Sequence, residues 1–398
     1  GSFTVTAQET QKLDVKQAIE IGLKNNQNIQ ASELEVKMQT QMQKTAFELP
    51  KTELLGTFGQ INSQAQDKNF SISQSFNPFQ ISAKRNLLKE YSNASATKLG
   101  VSKQEVTYSI RQSWNTLLYY EKENDVLEKQ NVVMQKFVKS ANLKFQTGET
   151  NALEKTIASA KQQELEQKIK QNKAQIAIEK SKLKVILDLK TDFIAIDTSF
   201  VPYPAMAKVD SSMVKQNPIV QLANQQVQIA QAIHKVEKSA LSPDFSVGYF
   251  LQSITGNQDV NGTSTYYNNS PQFQGFTVGI AVPLFAGSNI AKAKAAKTNI
   301  EREQKNADYI NQQFKSHLEQ QSEQLTTYGS LIEYYKNTAM PNANLIIKNA
   351  TKGYQNGDIS YVEYVQSIET ASQIQLNYNE AIYNYNQTII TIQYSINQ

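Results

Sequence analysis

Apolar residues recur along the long polar stretches of this chain in alternating steps of three and four residues. The clearest series lies near the end of the chain and consists of Tyr361, Tyr364, Ile368, Ala371, Gln375, Tyr378, Ile382, Tyr385, Ile389, Ile392 and Ile396. Such spacing places one narrow stripe of contacts along a helix, as in helices that pack against each other in coiled coils. The pattern therefore predicts long helices that need helical partners along their length.

Proline and glycine divide the chain into helical and non-helical regions. Residues 79–201 contain no proline and only two glycines, Gly100 and Gly148, and residues 288–398 contain one proline, Pro341. Both regions are long enough for extended helices. The other glycines and prolines cluster mainly at 50–59, 202–218 and 243–287. We expect turns and strands in these three clusters.

Four segments show the two-residue alternation of strands. In the clearest one, Phe245, Val247 and Tyr249 alternate with Ser246 and Gly248. The four predicted strands cover about 51–62, 69–79, 243–254 and 274–285. Each is about as long as the 9–11 residues with which a tilted strand crosses a bilayer. The polar stretches 62–69 and 254–274 are expected to be exposed loops.

Composition and charge exclude several classes of protein. The 398 residues include no cysteine, so disulfides, thiolate metal sites, cysteine nucleophiles and a lipid-bearing cysteine are excluded in this sequence. Asn and Gln make up about a fifth of the chain, where a globular core would need more apolar residues. The net charge of +4 is spread along the chain and gives no basic patch for nucleic acid. No apolar run is long enough for a membrane-spanning helix.

The chain repeats one arrangement twice. Phe145-Gln146-Thr147-Gly148-Glu149-Thr150-Asn151-Ala152-Leu153-Glu154 recurs as Tyr354-Gln355-Asn356-Gly357-Asp358-Ile359-Ser360-Tyr361-Val362-Glu363, and the Leu-Lys-Asn-Asn sequence at 23–26 recurs as Val-Lys-Gln-Asn at 214–217. The expected repeats are 1–205 and 206–398, each with a helix, two strands and two long helices joined by a turn. The two turns are expected at 146–150 and 355–359.

With these motifs the whole chain resembles the TolC family of outer-membrane efflux channels. The resemblance implies a mainly α protein with a small β part: a homotrimer whose long helices form a tunnel across the periplasm and whose four strands per chain join a shared twelve-stranded β-barrel. An independent argument agrees, because four strands cannot close on themselves and open edges in lipid leave backbone groups unpaired. The expected location is the outer membrane of a Gram-negative bacterium.

The resemblance implies roles for the two repeated turns. In this family the turn between the long helices lies at the periplasmic tip, where an adaptor protein docks. The corresponding residues are Thr147, Gly148, Glu149, Asn356, Gly357 and Asp358. Glycine suits a sharp helix end because it adopts the left-handed conformation without strain. From the residues alone, both glycines could equally be ordinary helix caps.

A carboxylate follows each glycine after six residues. These residues, Glu154 and Glu363, match family positions that narrow the closed pore. Three copies of Glu363 around an axis would repel one another and favour cations. Gln366 stands where many family members have a second acid, which implies a weaker ring. The alternative is that Glu363 lies on a solvated helix face.

Aromatic residues near the second strand pair are candidates for a girdle at the membrane interface. They are Tyr249, Phe250, Tyr266 and Tyr267. Outer-membrane barrels carry such girdles where lipid meets water. Tyrosine is frequent throughout the chain, however, and most tyrosines are expected to pack between helices.

No pattern predicts an enzyme, a cofactor or a bound metal. His234 and His317 each lie in a polar helical stretch with no second histidine or carboxylate pair at ligand spacing. No Gly-rich phosphate loop occurs, and Gly275, Gly279 and Gly287 have the spacing of a barrel strand and its end. We therefore expect a protein without a catalytic site.

The favoured function is the passive exit duct of a tripartite efflux system, with a periplasmic adaptor, an inner-membrane pump and outer-membrane lipid as partners. The stretch 73–79 and the compact length resemble the heavy-metal branch that works with resistance–nodulation–division pumps. Two alternatives are a coiled-coil structural or secretion-apparatus protein without a pore, and an amphipathic helical protein on a membrane surface. Four symmetrically placed strands argue against the first, and the narrow stripes of three- and four-residue steps, which indicate helical partners, argue against the second. Residues 3–7 are compatible with the end of a removed signal peptide.

Overall fold

A computed structural model describes residues 11–197, 199–207 and 209–398, apart from the side chain of Val260. The possible signal-peptide residues 3–7 lie outside this part. Its α-helices are α1 (Val15–Asn25), α2 (Gln27–Met42), α3 (Pro78–Gln146), α4 (Ala152–Leu187), α5 (Pro218–Ser239), α6 (Gly287–Tyr334), α7 (Met340–Asn356) and α8 (Tyr361–Ile396). Its strands are β1 (Gln11–Leu13), β2 (Glu53–Gly59), β3 (Asp67–Phe76), β4 (Phe193–Ala195), β5 (Asp244–Gln252), β6 (Gly256–Val260), β7 (Thr263–Tyr267) and β8 (Phe273–Ala281).

The prediction of a mainly helical chain with four strands from two separate pairs is confirmed. The strands form one antiparallel sheet in the order β2-β3-β5-β8. β3 ends earlier than the predicted segment because Asn77 caps α3 by accepting a hydrogen bond from the backbone N–H of Gln80 at 2.9 Å, and Pro78 opens that helix. Proline is favoured at the first helical position because the N–H it lacks would have no helical partner.

Two smaller sheets were not expected from the sequence. β1 pairs in parallel with β4, and β6 pairs with β7 inside the segment predicted to be an exposed loop. The β6–β7 connection is Asn261-Gly262, with φ angles of +54° and +82°. Asn-Gly is the strongest short signal for a two-residue hairpin turn. The hairpin is therefore readable from the sequence at this dipeptide, within a segment whose other residues predict an exposed loop.

The described residues form two compact units, each drawn from both predicted repeats. The first unit comprises the described residues of 11–33, 99–197, 199–207, 209–220 and 311–398, and the second comprises 34–98 and 221–310. In the first unit, Trp114 and Ile110 of α3 are buried with Leu183 and Leu187 of α4. A separate apolar cluster of the same unit joins Ile332 of α6 to α8.

In the second unit, Val227 of α5 packs against Ala307 of α6. This unit also contains the four-stranded sheet. The narrow stripes predicted from the sequence thus become contacts between neighbouring helices.

Two asparagines at matching repeat positions make matching contacts. The amide nitrogen of Asn26 donates to the carbonyl of Ile186 at 2.9 Å, and that of Asn217 donates to the carbonyl of Tyr394 at 2.8 Å. Each side-chain oxygen also accepts from the backbone N–H two residues on, at 3.0 and 2.9 Å. Each asparagine therefore ties the start of one helix to the end of the last helix of its own predicted repeat. This parallel supports the proposed division of the chain into the repeats 1–205 and 206–398.

Candidate functional site

The turn after α3 is a helix C-terminus with a fixed hydrogen-bond pattern. Gly148 has φ +74°, in the left-handed region. The backbone N–H of Glu149 donates to the carbonyl of Lys144 at 2.8 Å, and that of Gly148 donates to the carbonyl of Phe145 at 3.3 Å. These two bonds define a Schellman motif, which satisfies carbonyls that the helix leaves free.

The turn after α7 has the same backbone pattern. Gly357 has φ +78°, and its N–H donates to the carbonyl of Tyr354 at 3.1 Å. The N–H of Asp358 donates to the carbonyl of Gly353 at 2.8 Å. A Cβ added at either turn glycine would meet nothing within 4 Å, so conformation and not space is what favours glycine there. The remaining predicted turn residues are Thr147, whose hydroxyl lies 3.2 Å from the Glu149 carboxylate, and Asn356, which ends α7.

The two candidate pore carboxylates occupy the third position of the helices that follow the turns. The backbone N–H of Glu154 donates to the side chain of Asn151 at 3.0 Å, and that of Glu363 donates to the hydroxyl of Ser360 at 3.2 Å. The Glu363 carboxylate also accepts from the Ser360 backbone N–H at 2.7 Å, which completes a capping box. The Glu154 carboxylate instead accepts from the hydroxyl of Thr150.

Hydrogen bonding changes the titration of Glu363. The backbone N–H of Ser360, and secondarily its side chain, lower the pKa of the Glu363 carboxyl below its usual range. Hydrogen bonds to the charged form favour that form. Glu363 is therefore held as a charged capping group, a structural role that its sequence position alone did not separate from a pore role.

Aromatic residues pack the helices beside the two turns. The rings of Phe137 and Tyr361 stack with centroids 4.6 Å apart, and those of Tyr354 and Tyr364 stack at 5.1 Å. Further along, Lys161 of α4 forms an ion pair with Glu369 of α8 at 2.6 Å. Because Phe137 and Lys161 belong to the first predicted repeat and their partners to the second, these contacts hold the two helical hairpins together.

The four-stranded sheet has one apolar and one polar face. One cross-strand row joins the apolar residues Leu54, Ile72, Tyr249 and Phe276. The adjacent row, on the other face, joins Glu53, Ser73, Gly248 and Thr277. The apolar face is exposed within the described chain, with Phe276 84% exposed. Alternation between a lipid-facing and a lumen-facing side is the pattern of barrel strands in outer membranes.

The structure separates the four candidate girdle residues. Tyr249 lies on the apolar face, whereas Phe250 lies on the opposite face, because neighbouring residues in a strand point to opposite sides. The ring of Phe250 covers Gly275, where an added Cβ would come within 2.6 Å of it. Tyr266 and Tyr267 belong to the β6–β7 hairpin. Of the pair on β5, only Tyr249 therefore remains a candidate for contact with lipid.

The described residues contain no group of three or more His, Asp or Glu side chains arranged to hold a metal ion. His234 lies in α5 and His317 in α6. Within the same residues, the helices include none that is both long and apolar enough to cross a membrane.

Comparison with known proteins brings these observations together. The sequence profile of the outer membrane efflux protein family matches residues 211–398. The fold matches that of CusC with a TM-score of 0.77 at 16% identity, over 99% of this chain and 95% of CusC. The second half of the chain thus carries the sequence pattern of outer membrane efflux proteins, and the chain as a whole has the fold of these channels.

Two further structures show the same fold. The Campylobacter jejuni outer-membrane channel CmeC matches with a TM-score of 0.76 at 13% identity, over 96% of this chain and 85% of CmeC. The open-state Neisseria gonorrhoeae channel MtrE matches with a TM-score of 0.76 at 11% identity, over 96% and 88% of the two chains. A search of curated protein sequences gave no match.

The family match of residues 211–398 supports one coarse function. Outer membrane efflux proteins are passive channels and not enzymes, and the matching structures are outer-membrane channels of Gram-negative bacteria. Members of the family act as trimers with adaptor proteins and inner-membrane pumps.

Two features of this chain were missed in the sequence. Leu153 and Val362, each five residues after a turn glycine, are exposed apolar side chains at 66% and 38%. Leu284 and Phe285, just after β8, are exposed at 82% and 98%. Helix and strand patterns identify buried positions, so exposed apolar residues at turns and strand ends carry no periodic signal. The equivalence of positions 153 and 362 in the repeat could have revealed the first pair.

Proposed function

We propose that this chain forms a homotrimeric exit duct in which four strands from each copy close one twelve-stranded barrel. The observation that supports this most directly is the sheet order, which leaves the outer edges of β2 and β8 without a partner strand in the described chain. Unpaired backbone groups in lipid cost several kcal/mol each. Pairing β2 of one copy with β8 of the next would satisfy both edges, and three copies would close the barrel.

The apolar face of the sheet is the proposed contact with outer-membrane lipid. Phe276 and Val278 on β8 are exposed at 84% and 80%. Tyr249 stands in the same cross-strand row as Phe276 and is the proposed girdle residue of β5, and Tyr266 and Tyr267 remain candidates on the β6–β7 hairpin. The small and polar residues of the opposite face would line the lumen.

The two Schellman turns are the proposed docking site for the adaptor. Thr147, Gly148 and Glu149 form one turn. Asn356, Gly357 and Asp358 form the other. The exposed side chains Leu153 and Val362 supply apolar area beside each turn, which a docking partner would bury.

Glu154 and Glu363 are the proposed acidic groups of the pore entrance. They occupy equivalent positions at the starts of α4 and α8, and each follows its turn directly. Rings of carboxylates favour cations in pores. The capping box of Glu363 holds this charge in place, which would keep the ring negative at neutral pH.

The type of pump and the exported substrate are the most specific part of the proposal. The stretch 73–79 resembles the heavy-metal branch, and we therefore propose a resistance–nodulation–division pump as partner and metal cations as cargo. A metal ion would pass through as substrate. A test is to pair the channel with the adaptor and pump of a metal-efflux system in a strain that lacks its own channel. Restored growth on copper or silver salts supports this cargo, and growth restored only on organic antimicrobials rejects it.

Cysteine cross-linking tests the shared barrel, and the natural chain supplies a cysteine-free background. Thr57→Cys on β2 would be combined in turn with Phe273→Cys, Thr277→Cys or Ala281→Cys on β8, all on the polar face. We expect one pairing to give covalent trimers on oxidation. The control pairs Thr57→Cys with Phe276→Cys, which lies on the other face. Failure of every same-face pair would contradict the shared barrel.

Native mass provides the second arm of this test. Purified in detergent, the protein should run before heating at about three times the chain mass of 44.8 kDa. A soluble monomer or an open-ended filament would favour a coiled-coil structural or secretion-apparatus protein instead.

Adaptor docking has its own test. Leu153→Glu together with Val362→Glu should abolish adaptor-dependent export while the heat-sensitive trimer persists. The matched control is Val132→Glu, which changes a 54% exposed apolar residue of α3 away from both turns. Normal export by the double variant would show that the adaptor does not dock at the two turns.

A further inference from the structure

A cavity in the first unit combines positive charge with an apolar wall, and neither the turns nor the sheet uses it. It has a volume of about 650 Å³ and lies among α1, α3, the segments 203–207 and 209–213, and α8. Ligand pockets in proteins typically measure 300–1,000 Å³. The cavity is therefore large enough for an organic molecule.

Two cations line this cavity without a carboxylate partner. Within the described part of the chain, no Asp or Glu oxygen lies within 4.0 Å of the Arg111 guanidinium or the Lys16 ammonium. Arg111 donates one hydrogen bond, from Nη1 to the side-chain oxygen of Gln393 at 2.8 Å. A guanidinium carries five N–H donors, so Arg111 keeps donors for a ligand.

Asp197, a carboxylate of the same unit, already has hydrogen-bond partners. Asp197 accepts from Nε1 of Trp114 at 2.7 Å and from the backbone N–H of Val15 at 3.0 Å. It is not among the residues that line the cavity. Among the described residues that line the cavity, Lys16 and Arg111 are the ones with charged side chains.

The rest of the wall is mainly apolar. Met206, Met213, Ile389 and Ile396 line it, and Tyr203 lies beside them. Tyr203 belongs to the same wall as Arg111, and its hydroxyl adds a neutral hydrogen-bonding group. A cavity with a cationic side and an apolar side fits a molecule that has an anionic group at one end and a hydrocarbon body at the other.

We propose that this cavity binds an amphipathic organic anion, with its carboxylate at Arg111 and Lys16 and its hydrocarbon body against Met206 and Ile389. Arg–carboxylate pairs are strong because two N–H donors can meet both oxygens. Burial of the hydrocarbon contributes roughly 25 cal/mol per Å² of apolar surface. The inference goes beyond the export function and does not depend on it.

The test uses the full chain held in amphipol, with decanoate as the probe and titration calorimetry as the readout. We expect saturable binding with one site per chain. Decanol, which lacks the charge, and butyrate, which lacks the long body, should each bind at least tenfold more weakly. Equal binding of decanol would overturn the proposal, because it would show that the cations do not contribute.

Variants locate the site. Arg111→Gln should weaken decanoate binding about tenfold, and Arg111→Lys should retain part of it because the charge remains. Lys12→Gln is the matched control, since Lys12 is exposed on β1 and does not line the cavity. Met206→Trp should block binding by filling the cavity without touching either cation. Unchanged affinity in both Arg111→Gln and Met206→Trp would place decanoate elsewhere and overturn the proposal.

Discussion

The two helical hairpins of this chain share a backbone turn and differ in the side chains that secure it. Gly148 and Gly357 end their helices with the same pair of hydrogen bonds, and the bond donated by the residue after the glycine is 2.8 Å long in both turns. Around them, Tyr361 is buried in an aromatic cluster, whereas its counterpart Ala152 is exposed. A local sequence signal thus fixes the turn twice, and tertiary packing then makes the second hairpin the more firmly anchored one.

The helices that lead into the turns differ as well. α3 runs without interruption from Pro78 to Gln146. Its counterpart is broken by a π-helical segment, Tyr335–Ala339, between α6 and α7, and Pro341 follows directly. Proline removes one helical N–H donor, and π-helical turns often accompany such interruptions. In the second repeat, the helix that leads into the turn is therefore irregular, whereas the helix that follows the turn is tightly packed.

The largest effect is expected from removing the aromatic anchor of the second hairpin. Tyr361→Ala should lower the free energy of unfolding by about 3 kcal/mol, because a buried ring stacked on Phe137 is lost and a cavity remains. Thermal unfolding in detergent measures it. The matched change in the first repeat, Ala152→Gly, should cost about 1 kcal/mol or less. Equal losses would contradict the difference in anchoring.

The paired asparagines give the next largest effect. Asn217→Ala should cost about 2 kcal/mol and Asn26→Ala about 1 kcal/mol, because Asn217 is fully buried and loses donors to two carbonyls, at Tyr394 and Ser395. Asn28→Ala, at an exposed neighbour, is the control. Thermal unfolding in detergent measures both losses of stability. A larger loss for Asn26→Ala than for Asn217→Ala would contradict the prediction.

The turn glycines should affect stability less and export strongly. Gly148→Val and Gly357→Val should each cost about 1–2 kcal/mol, because a β-branched residue is strained at positive φ. If the turns dock the adaptor, the double variant should lose export while the heat-sensitive trimer persists. Gly329→Ala, within α6, serves as the control. Export at the wild-type rate by the double variant would remove the turn assignment.

Titration of Glu363 gives the smallest effect. Its pKa is lowered in the folded protein, so its contribution to stability is present above the ordinary value of 4.5 and is lost as pH falls below it. Glu363→Gln keeps a capping side chain without the charge, and the difference from wild type should vanish at low pH. Stability as a function of pH measures this. In reconstituted pores, reduced cation selectivity of Glu363→Gln would indicate a pore role, and unchanged selectivity would restrict Glu363 to capping.

Much of the fold could be predicted because its signals are local or periodic. The three- and four-residue steps in 361–396 identified α8, and glycine followed by an acid identified both turns. The parallel pair β1–β4 could not be found in this way, because two three-residue strands far apart in sequence carry almost no pattern. The division between Tyr249 and Phe250 follows from the alternation rule alone, whereas the cross-strand row that joins Tyr249 to Ile72 and Phe276 became evident only with the pairing register.

The sequence by itself determined where the long helices and the four strands of the main sheet run and where the two turns lie, since hydrophobic period, glycine and N-cap residues act over a few positions. Only the tertiary structure decided which asparagine is buried and that Arg111 lines a cavity with an apolar wall. These features depend on residues more than a hundred positions apart, such as Asn217 and Tyr394. Local sequence patterns cannot predict such contacts, because the packing of whole helices and not the neighbouring residues determines them.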